Sequence, residues 1–442
     1  MRGAYVVGRV DLSLAQLSQC PLVFHTCRFE QPVSLYQATT ADVAFTSCIL
    51  PGLRGDDLNS SGSLALRKTH VEGEVRLQDA KISGQLSCSD AHLSNPGGDA
   101  LNAEDLNTTN FFLRRAQVEG EVRLLHAQIS SELYCDGAHL SNRGGYALLA
   151  DSLDVVNVYL SDAHVEGEVR LRGAQISGER DFDGAHLVNP DGYALYARSC
   201  HIAEYLYFRL ATRAVGKVDL AYAQVGVLVD KLASWPETFN LVGCSYRALE
   251  AKNRDPSQRL KWWLGQSEPF SPDIYSQLAE VYRRYGEEGY ARQVAIAREE
   301  KRAHQPDLRW LVRAWRCVLG FTVAYGYEPW RALGSLMVLF LVGCVAFMLP
   351  PAQAVMVYAP HNTRGPLNAA APCENYPCFS PPIYTLDTLL PIIDLHQESN
   401  WVPATHEPWG LLYEVLTWLL IALGWFLTTA IVAGIGSVWR SE

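Results

Sequence analysis

The sequence lacks an excess of positive charge. Its 442 residues include 37 lysines and arginines against 47 aspartates and glutamates, which gives a formal net charge of -10 at pH 7. A protein that binds nucleic acid needs a basic face to neutralise the phosphates. We therefore predict that nucleic acid is not a partner of this chain.

The sequence also lacks several short motifs. The amino-terminal stretch "MRGAYVVGRVDLSLAQ" has no apolar run as long as that of a secretory signal, so we expect the first domain to stay in the cytosol. There is no GxGxxG after a predicted strand, no GxxxxGK[ST], no HExxH and no GxSxG. We accordingly predict no cofactor, no metal and no catalytic residue and favour a protein that is not an enzyme, although missing motifs do not exclude an enzyme with a dispersed site.

What the sequence does contain is a long repeat. The stretch "HVEGEVRLQDAKISG" begins at His70 and returns as "QVEGEVRLLHAQISS" from Gln117 and "HVEGEVRLRGAQISG" from His164, an interval of 47 residues each time. A fixed interval of this length is typical of a repeat architecture. Weaker echoes from Val6 and from Ala214 extend the repeat towards both ends of a domain that we predict to cover residues 1–230.

Within each copy, apolar and polar residues alternate, which is the pattern of short strands with one face inward. Alanines recur at fixed places, and a turn recurs at Gly97-Gly98, Gly144-Gly145 and Asp191-Gly192. These features predict a right-handed parallel β-helix of pentapeptide-like repeats. We interpret 47 residues as two coils, so that equivalent residues of successive copies lie roughly 10 Å apart.

Two sets of recurring polar residues are candidate surface features. His92, His139 and His186 recur in "AHL", but histidines two coils apart cannot converge on one metal ion. We interpret them as structural or merely exposed. A charged column is predicted to be a solvated face that could dock a partner, with ion pairs that contribute little individually; it consists of Glu74, Arg76, Glu121, Arg123, Glu168 and Arg170.

A recurring slot holds Cys88 and Cys135, and the third copy has Phe182 there. A slot that accepts either cysteine or phenylalanine is an apolar core position. The two thiols are therefore predicted to be buried and inert.

The chain resembles a family of bacterial pentapeptide-like repeat proteins with a carboxy-terminal membrane domain of two helices, often labelled "membrane-associated oxidoreductase". The resemblance rests on "VEGEVRL", "ISGQL" and "GAHLSNRGGYAL", and continues through "SWPETFNLVG", "YSQLAEVYRRYG", "ARQVAIAREEKRA", "YGYEPWRAL" and "YTLDTLLPIIDLHQESNWVP". It covers nearly the whole chain. It implies a membrane protein and leaves an oxidoreductase activity open, but it supplies no catalytic residues.

The repeat gives way to a predicted cap or linker over 231–270 and a helical hairpin over 271–305. Ser271 followed by Pro272 is a typical helix start. A third helix, within 306–329, mixes Arg309, Arg313 and Arg316 with tryptophans. This composition favours a helix on the inner membrane surface, where arginines meet anionic lipid.

Two apolar segments, 330–349 and 411–438, are long enough to cross the hydrocarbon core of a bilayer. Basic residues cluster before the first segment and Arg440 follows the second, whereas the loop 350–410 holds only Arg364. The positive-inside rule therefore predicts an inner-membrane protein with two spans, both termini in the cytosol and the loop outside.

The outer loop contains two candidate features. Cys373 and Cys378 of "CENYPC" face the oxidising side and are predicted to form a disulfide. An apolar stretch over 383–395 is too short to span and suits a re-entrant or interfacial segment. In an oligomer, Asp387, Asp394 and Glu398 could form acidic rings of a pore.

Three functions remain open at this point. The first is a non-catalytic membrane protein whose cytosolic β-helix is an interaction, assembly or sensing scaffold, with a protein partner or with itself. The second is an oligomeric two-span channel. The third is the oxidoreductase that the resemblance suggests.

Overall fold

The computed structural model describes residues 1–250, 255–260, 264, 270–304, 310–326, 328, 330–358, 367–368, 378–390 and 392–438. The chain divides into two compact units, 1–295 and 296–442. Each unit is considered by itself below.

The first unit is a parallel β-solenoid of about eleven coils, whose strands form two sheets. The first sheet consists of Tyr5–Val6, Arg28–Phe29, Val33–Ser34, Ile49–Leu50, Leu53–Arg54, His70–Glu72, Val75–Arg76, His92–Asn102, Gln117–Arg123, His139–Leu149, His164–Arg170, His186–Tyr196, Val215–Asp219 and Phe239–Asn240. The second consists of Gln16–Leu17, Leu22–His25, Thr39–Thr40, Val43–Thr46, Asn59–Ser60, Leu64–Ala65, Lys81–Ser87, Asn107–Phe112, Gln128–Tyr134, Asp154–Tyr159, Gln175–Ile176, Arg180–Asp181, His201–Phe208, Gln224–Asp230 and Ser245–Glu250.

The register of the first sheet explains the 47-residue interval. His92 pairs with Gln117 and Gln117 pairs with His139, so successive coils take 25 and then 22 residues. The same two lengths follow from His139 to His164 and from His164 to His186. Their sum is 47, and the prediction that one repeat is two coils is confirmed.

The longer coil of each pair contains a bulge. It lies in the strand that begins at His92 or His139, at the predicted Gly-Gly turn. The side chain of Asn95 closes it with a hydrogen bond to the Asp99 carbonyl of 2.8 Å, and Asn142 does the same at Tyr146 at 2.9 Å. Gly120 lies against this bulge with φ +124°, and a Cβ there would be 2.6 Å from the Asn95 carbonyl oxygen. The "VEGEV" phrase therefore needs glycine because the neighbouring coil leaves no room for a side chain.

The interior of the solenoid is filled by the residues that the alternation assigns to it. Val118, Gly120 and Val122 are buried on one strand, and the corner alanines from Ala80 to Ala185 are buried as well. Cys88, Cys135 and Phe182 are fully buried, which confirms the predicted core slot. Burial raises the pKa of both thiols to about 12, so neither is ionised at neutral pH.

The winding continues past the predicted boundary at residue 230, because Ser245–Glu250 still pairs with Gln224–Asp230. Helix α1, Pro272–Arg284, then covers this last strand. Gln277 donates to the Tyr246 carbonyl, and the Tyr285 hydroxyl hydrogen-bonds the Leu249 amide and carbonyl at 3.0 and 3.1 Å. The helix thereby satisfies backbone groups that an edge strand would otherwise expose.

The remaining helices are α2, Glu288–Ala303; α3, Trp310–Val323; α4, Trp330–Met348; α5, Pro350–Val355; α6, Pro381–Leu389; and α7, Gly410–Val438. Short helical turns lie at Leu232–Ser234, Pro256–Gln258 and Ala324–Gly326. The second unit also has a small antiparallel sheet of Met356–Tyr358, Leu367–Asn368 and Trp401–Pro403. Among the described residues, α4 and α7 are long and apolar enough to cross a membrane.

Candidate functional site

A column of imidazoles runs along the outer face of the first sheet. The predicted His92, His139 and His186 lie two coils apart, but His70 and His164 occupy the same position on coils beside them. The histidine column is thus His70, His92, Gln117, His139, His164 and His186. Sequence comparison at 47-residue steps missed His70 and His164 because they align with Gln117 in the repeat.

Neighbouring rings of the histidine column stack. The ring centroids of His70 and His92 are 4.5 Å apart and those of His139 and His164 are 5.0 Å apart, with nearly parallel ring planes in both pairs. The ring of His186 is tilted by 43° against that of His164. Gln117 interrupts the stack by a side-chain hydrogen bond of 3.2 Å to His92. Parallel rings direct their nitrogens sideways, so the column presents polar edges outward rather than a convergent set of metal ligands.

A second outward column lies two residues further along the same strands. This carboxylate column is Glu72, Ser94, Glu119, Ser141, Glu166 and Val188. Glutamates occupy alternate coils, and the serine hydroxyls between them donate from Ser94 to Glu119 at 2.9 Å and from Ser141 to Glu166 at 3.2 Å. Because glutamates alternate with serines, no two glutamates lie directly opposite each other on neighbouring strands. Such a pair of like charges would be destabilising.

The predicted charged column lies on the same strands and is less exposed than expected. Only 12% of the Glu121 side chain and 13% of the Glu168 side chain are exposed. Arg123 pairs with Asp99 at 3.3 Å and with Glu121 at 3.1 Å. The interpretation as a solvated face is therefore wrong at Glu121 and Glu168, which lie opposite bulge residues of the neighbouring coil, Asp99 and Tyr146.

The other members of the charged column repeat this arrangement. Arg170 pairs with Asp151 at 3.0 Å, and its guanidinium lies over the rings of Tyr146 and Tyr196. Arg76 pairs with Asp56 at 3.3 Å and lies 3.8 Å from Glu74. These residues bind neighbouring coils to one another, so the surface most available to a partner is formed by the histidine and carboxylate columns.

Two glutamates of one strand, His164–Arg170, titrate in opposite directions. Hydrogen bonds from Arg143 hold the pKa of Glu166 down at about 2, helped by the Arg143 charge and Ser141. Burial raises the pKa of Glu168 above its ordinary value, against the opposing charge of Arg170. The two side chains are two residues apart but lie in different surroundings.

Substitution of the two glutamates is expected to give opposite pH signatures. Glu166→Gln should lower stability at pH 7, and its deficit should vanish as the pH falls from the ordinary glutamate pKa towards 2, where the native carboxylate is protonated. Glu168→Gln should raise stability at pH 7, because the ionised native carboxylate is penalised by burial. That gain should vanish as the pH falls from the raised native pKa towards the ordinary one.

The measurement is the denaturation midpoint of each variant against the parent between pH 3 and 8, followed by circular dichroism. Glu119→Gln, on the carboxylate column of another coil, serves as a reference for the loss of one surface charge. Identical pH profiles for the Glu166 and Glu168 variants would contradict the two environments described here.

An arginine lies inside the solenoid. Arg180 is 1% exposed and takes the inward position that its pairing partners fill with Val158 and Leu206. Its guanidinium lies 4.7 Å from the Phe182 ring centroid, and none of its three nitrogens has a hydrogen-bond partner within the described chain. Burial lowers its pKa to about 10, so it remains charged at neutral pH.

The last coils hold a buried ion pair. Arg259 donates to both carboxylate oxygens of Asp230, and Trp235 donates its indole N–H to the same carboxylate at 2.7 Å. The side chains of Arg259 and Asp230 are 3% and 0% exposed. This cluster fastens residues after the predicted boundary to the solenoid core.

In the second unit, α6 lies between α4 and α7. Gly343 of α4 and Gly424 of α7 permit this, because a Cβ at either position would be 2.4 Å from Thr385 Cγ2 or 2.2 Å from the Leu389 carbonyl oxygen. The Tyr384 hydroxyl reaches Thr417 at 3.3 Å. The predicted short apolar segment, 383–395, thus overlaps a nine-residue helix, Pro381–Leu389, that packs against both long helices.

The three predicted loop acids differ in their surroundings. Asp387 is buried, and its carboxylate accepts the amides of Leu395, Gln397 and Glu398 at 2.6 to 2.8 Å. It therefore holds the returning chain against α6. Asp394 is 74% exposed beside His396, and Glu398 is exposed as well, with its pKa raised by partial desolvation and by the charge of Asp387.

The basic segment and the disulfide are described in part. Arg313 is exposed on α3, Arg316 pairs with Glu299 at 3.2 Å, and Arg309 lies outside the described residues. Cys378 is disulfide-bonded, whereas Cys373 lies outside the described residues, so their pairing stays a prediction. Nine other cysteines are free thiols.

No family model, no curated protein and no solved structure matches this chain. The resemblance to membrane-associated repeat proteins therefore remains a resemblance, and the geometry above carries the functional argument.

Proposed function

We propose that this chain is a non-catalytic integral membrane protein that presents its β-solenoid in the cytosol as an interaction scaffold. The carrying observation is the outer face of the first sheet. There, imidazoles stand in register on every coil from His70 to His186 except that of Gln117, beside a column in which glutamate and serine alternate from Glu72 to Glu166. A fully packed interior makes this face rigid, which lowers the entropic cost of binding an extended partner.

Membrane anchoring is supported by the surfaces of α4 and α7. Leu333, Met337, Leu341 and Val345 form a stripe along α4, each more than half exposed. On α7 the same is true at intervals of seven residues, at Leu411, Trp418, Trp425 and Val432. Continuous apolar surfaces of this extent are typical of lipid or partner contact.

The scaffold is tested by photo-crosslinking in cells. A photoreactive residue at Glu119 is expected to give a product of defined mass, and Glu166→Arg in the same protein should abolish it. The matched control places the photoreactive residue at Gln128, which is exposed on the second sheet, and adds Gln175→Arg to that protein. The proposal would be contradicted if the photoreactive residue at position 119 gave no product. It would also be contradicted if Glu166→Arg and Gln175→Arg reduced the crosslinked product of their respective proteins equally.

An oligomeric pore is a second candidate, favoured by the packing of α6 between α4 and α7. The chain that returns from α6 exposes Ile392, Ile393 and Leu395 at 77%, 44% and 38%. In a closed ring these side chains would be covered by neighbouring copies, with Asp394 and Glu398 beside them. This arrangement supports the channel by layout and not by a recognisable selectivity filter.

The pore is tested by cation flux into vesicles that contain the purified protein. Asp394→Asn together with Glu398→Gln is expected to reduce flux about tenfold if these acids attract cations, because each acidic ring raises the local cation concentration. Glu407→Gln, an exposed acid elsewhere in the loop, is the control. No flux in the parent protein would reject the pore and leave the scaffold untouched.

A further inference from the structure

A groove runs along the second unit where α3, α4 and α7 meet. Its volume is about 690 Å³, and its walls are almost wholly apolar. The residues that line it include Val318, Thr322, Gly334, Val338, Leu423 and Leu427. The Thr322 hydroxyl donates a hydrogen bond to the Val318 carbonyl at 2.8 Å, so its proton is not available to a molecule in the groove.

The apolar walls of the groove include both buried and exposed side chains. Leu427 is 2% exposed and packs in one cluster with the buried Ala332. Val338 and Leu423 are 59% and 42% exposed along its sides, and the space where a Cβ of Gly334 would lie is empty.

One end of the groove is cationic. Arg331 lines it, with 52% of its side chain exposed, and pairs with Glu328. A guanidinium has five N–H donors in a planar fork, so one carboxylate partner does not exhaust it. Trp330 beside it is 52% exposed. Tryptophan and arginine at the end of a span are typical of headgroup depth.

We propose that this groove binds an acyl chain of an anionic phospholipid, whose phosphate is held by Arg331. The inference rests on the proposed membrane insertion. The apolar lining suits a hydrocarbon chain, and arginine pairs well with phosphate oxygens. The α4 helix of a second copy would bring apolar side chains to the groove but no anion to Arg331, because Trp330–Met348 contains no acidic residue.

The experiment measures lipid retained by the full chain. The protein is purified in a mild detergent, washed extensively, and its lipids are quantified by mass spectrometry. It is then exposed to vesicles of pure phosphatidylcholine or of phosphatidylcholine with phosphatidylglycerol, and reisolated. The filling variant is Gly334→Phe, which points a ring into the open space. Leu341→Phe, on the lipid-facing stripe of α4 outside the groove, is its control.

The parent and Leu341→Phe are expected to retain anionic phospholipid at about one per chain. Gly334→Phe should retain about tenfold less, and Arg331→Gln should keep a lipid but lose the preference for phosphatidylglycerol. Equal retention by Gly334→Phe and the parent would overturn the proposal, as would a parent without lipid. A change of oligomeric mass in Gly334→Phe without lipid loss would assign the groove to a second copy and overturn it as well.

Alkaline extraction of the membranes separates this failure from failure of the proposed function. A chain that stays in the membrane pellet but retains no lipid contradicts only the groove proposal. A chain released into the supernatant contradicts membrane insertion itself.

Discussion

Replacement of Arg180 by leucine is expected to stabilise the solenoid by about 3 kcal/mol, because an unpaired charge in an apolar interior costs several kcal/mol. Leucine restores the side chain that the preceding copies carry, since Leu133 and Leu86 occupy the same inward position one and two repeats earlier. The measurement is the free energy of unfolding of the full chain in denaturant at pH 7. Arg172→Leu, on the exposed surface, is the control and should change it by less than about 0.5 kcal/mol.

The pH dependence provides a second measure of the same effect. Burial lowers the pKa of native Arg180 to about 10, well below the ordinary pKa that it has in the unfolded chain. Between the native and the unfolded pKa, the unfolded state binds more protons than the native state, so the stability of the parent rises with pH. The difference in free energy of unfolding between Arg180→Leu and the parent should therefore become smaller. A leucine variant that is less stable than the parent would mean that the guanidinium has an internal partner.

Removal of the carboxylate at Asp230 is expected to cost about 3 to 5 kcal/mol, because Asp230→Asn leaves the Arg259 charge buried and uncompensated. The amide oxygen can still accept the indole N–H of Trp235, which isolates the loss of charge from the loss of shape. The measurement is again the free energy of unfolding, with Trp235 close enough to report the last coils by fluorescence.

A double substitution tests whether the charge is the cause. Asp230→Asn combined with Arg259→Met should recover part of the loss, because no charge is then left buried. Asp183→Asn removes the partner of Arg209 in an ion pair whose side chains are 40% and 44% exposed, and should cost at most about 1 kcal/mol. Equal costs at Asp230 and Asp183 would contradict the distinction between buried and exposed pairs.

The coil structure was predictable because the constraint is local and periodic. Each coil must bury one face against the next, so Val71, Val118 and Val165 recur at one interval and all three are buried. The slot shared by Cys88, Cys135 and Phe182 was predictable for the same reason. Apolar residues recur wherever the interior requires them, whatever the coil length.

The histidine column was predicted only in part, because coil lengths alternate between 25 and 22 residues. A comparison at 47-residue steps aligns alternate coils and hides neighbours such as His70 and His164. The partial burial of Glu121 and Glu168 was not predictable either, since it depends on a bulge in the adjacent coil. Alignment at half-repeats would have revealed the column, though not the bulge.

The inward position of Arg180 could have been predicted from the repeat. Its segment "ISGERDF" aligns with "ISGQLSC" and "ISSELYC", and the arginine stands where leucine stands in both. No sequence pattern predicts the Asp230–Arg259 pair, because the two residues are 29 positions apart and outside the repeat. In the second unit, hydropathy predicted the two long helices, but only packing assigns Asp387 to the support of the returning chain.

The central claim is that two spans hold the solenoid on the cytosolic side of a membrane. It is tested most directly by thiol labelling with an impermeant maleimide in intact and permeabilised cells. Cys20 is an exposed thiol of the solenoid, and Gln353→Cys places one after the first span, in a Cys317→Ser background. The account predicts a membrane-bound protein labelled at residue 353 in intact cells and at Cys20 only after permeabilisation. Labelling of Cys20 in intact cells, or recovery of the protein in the soluble fraction, would contradict it.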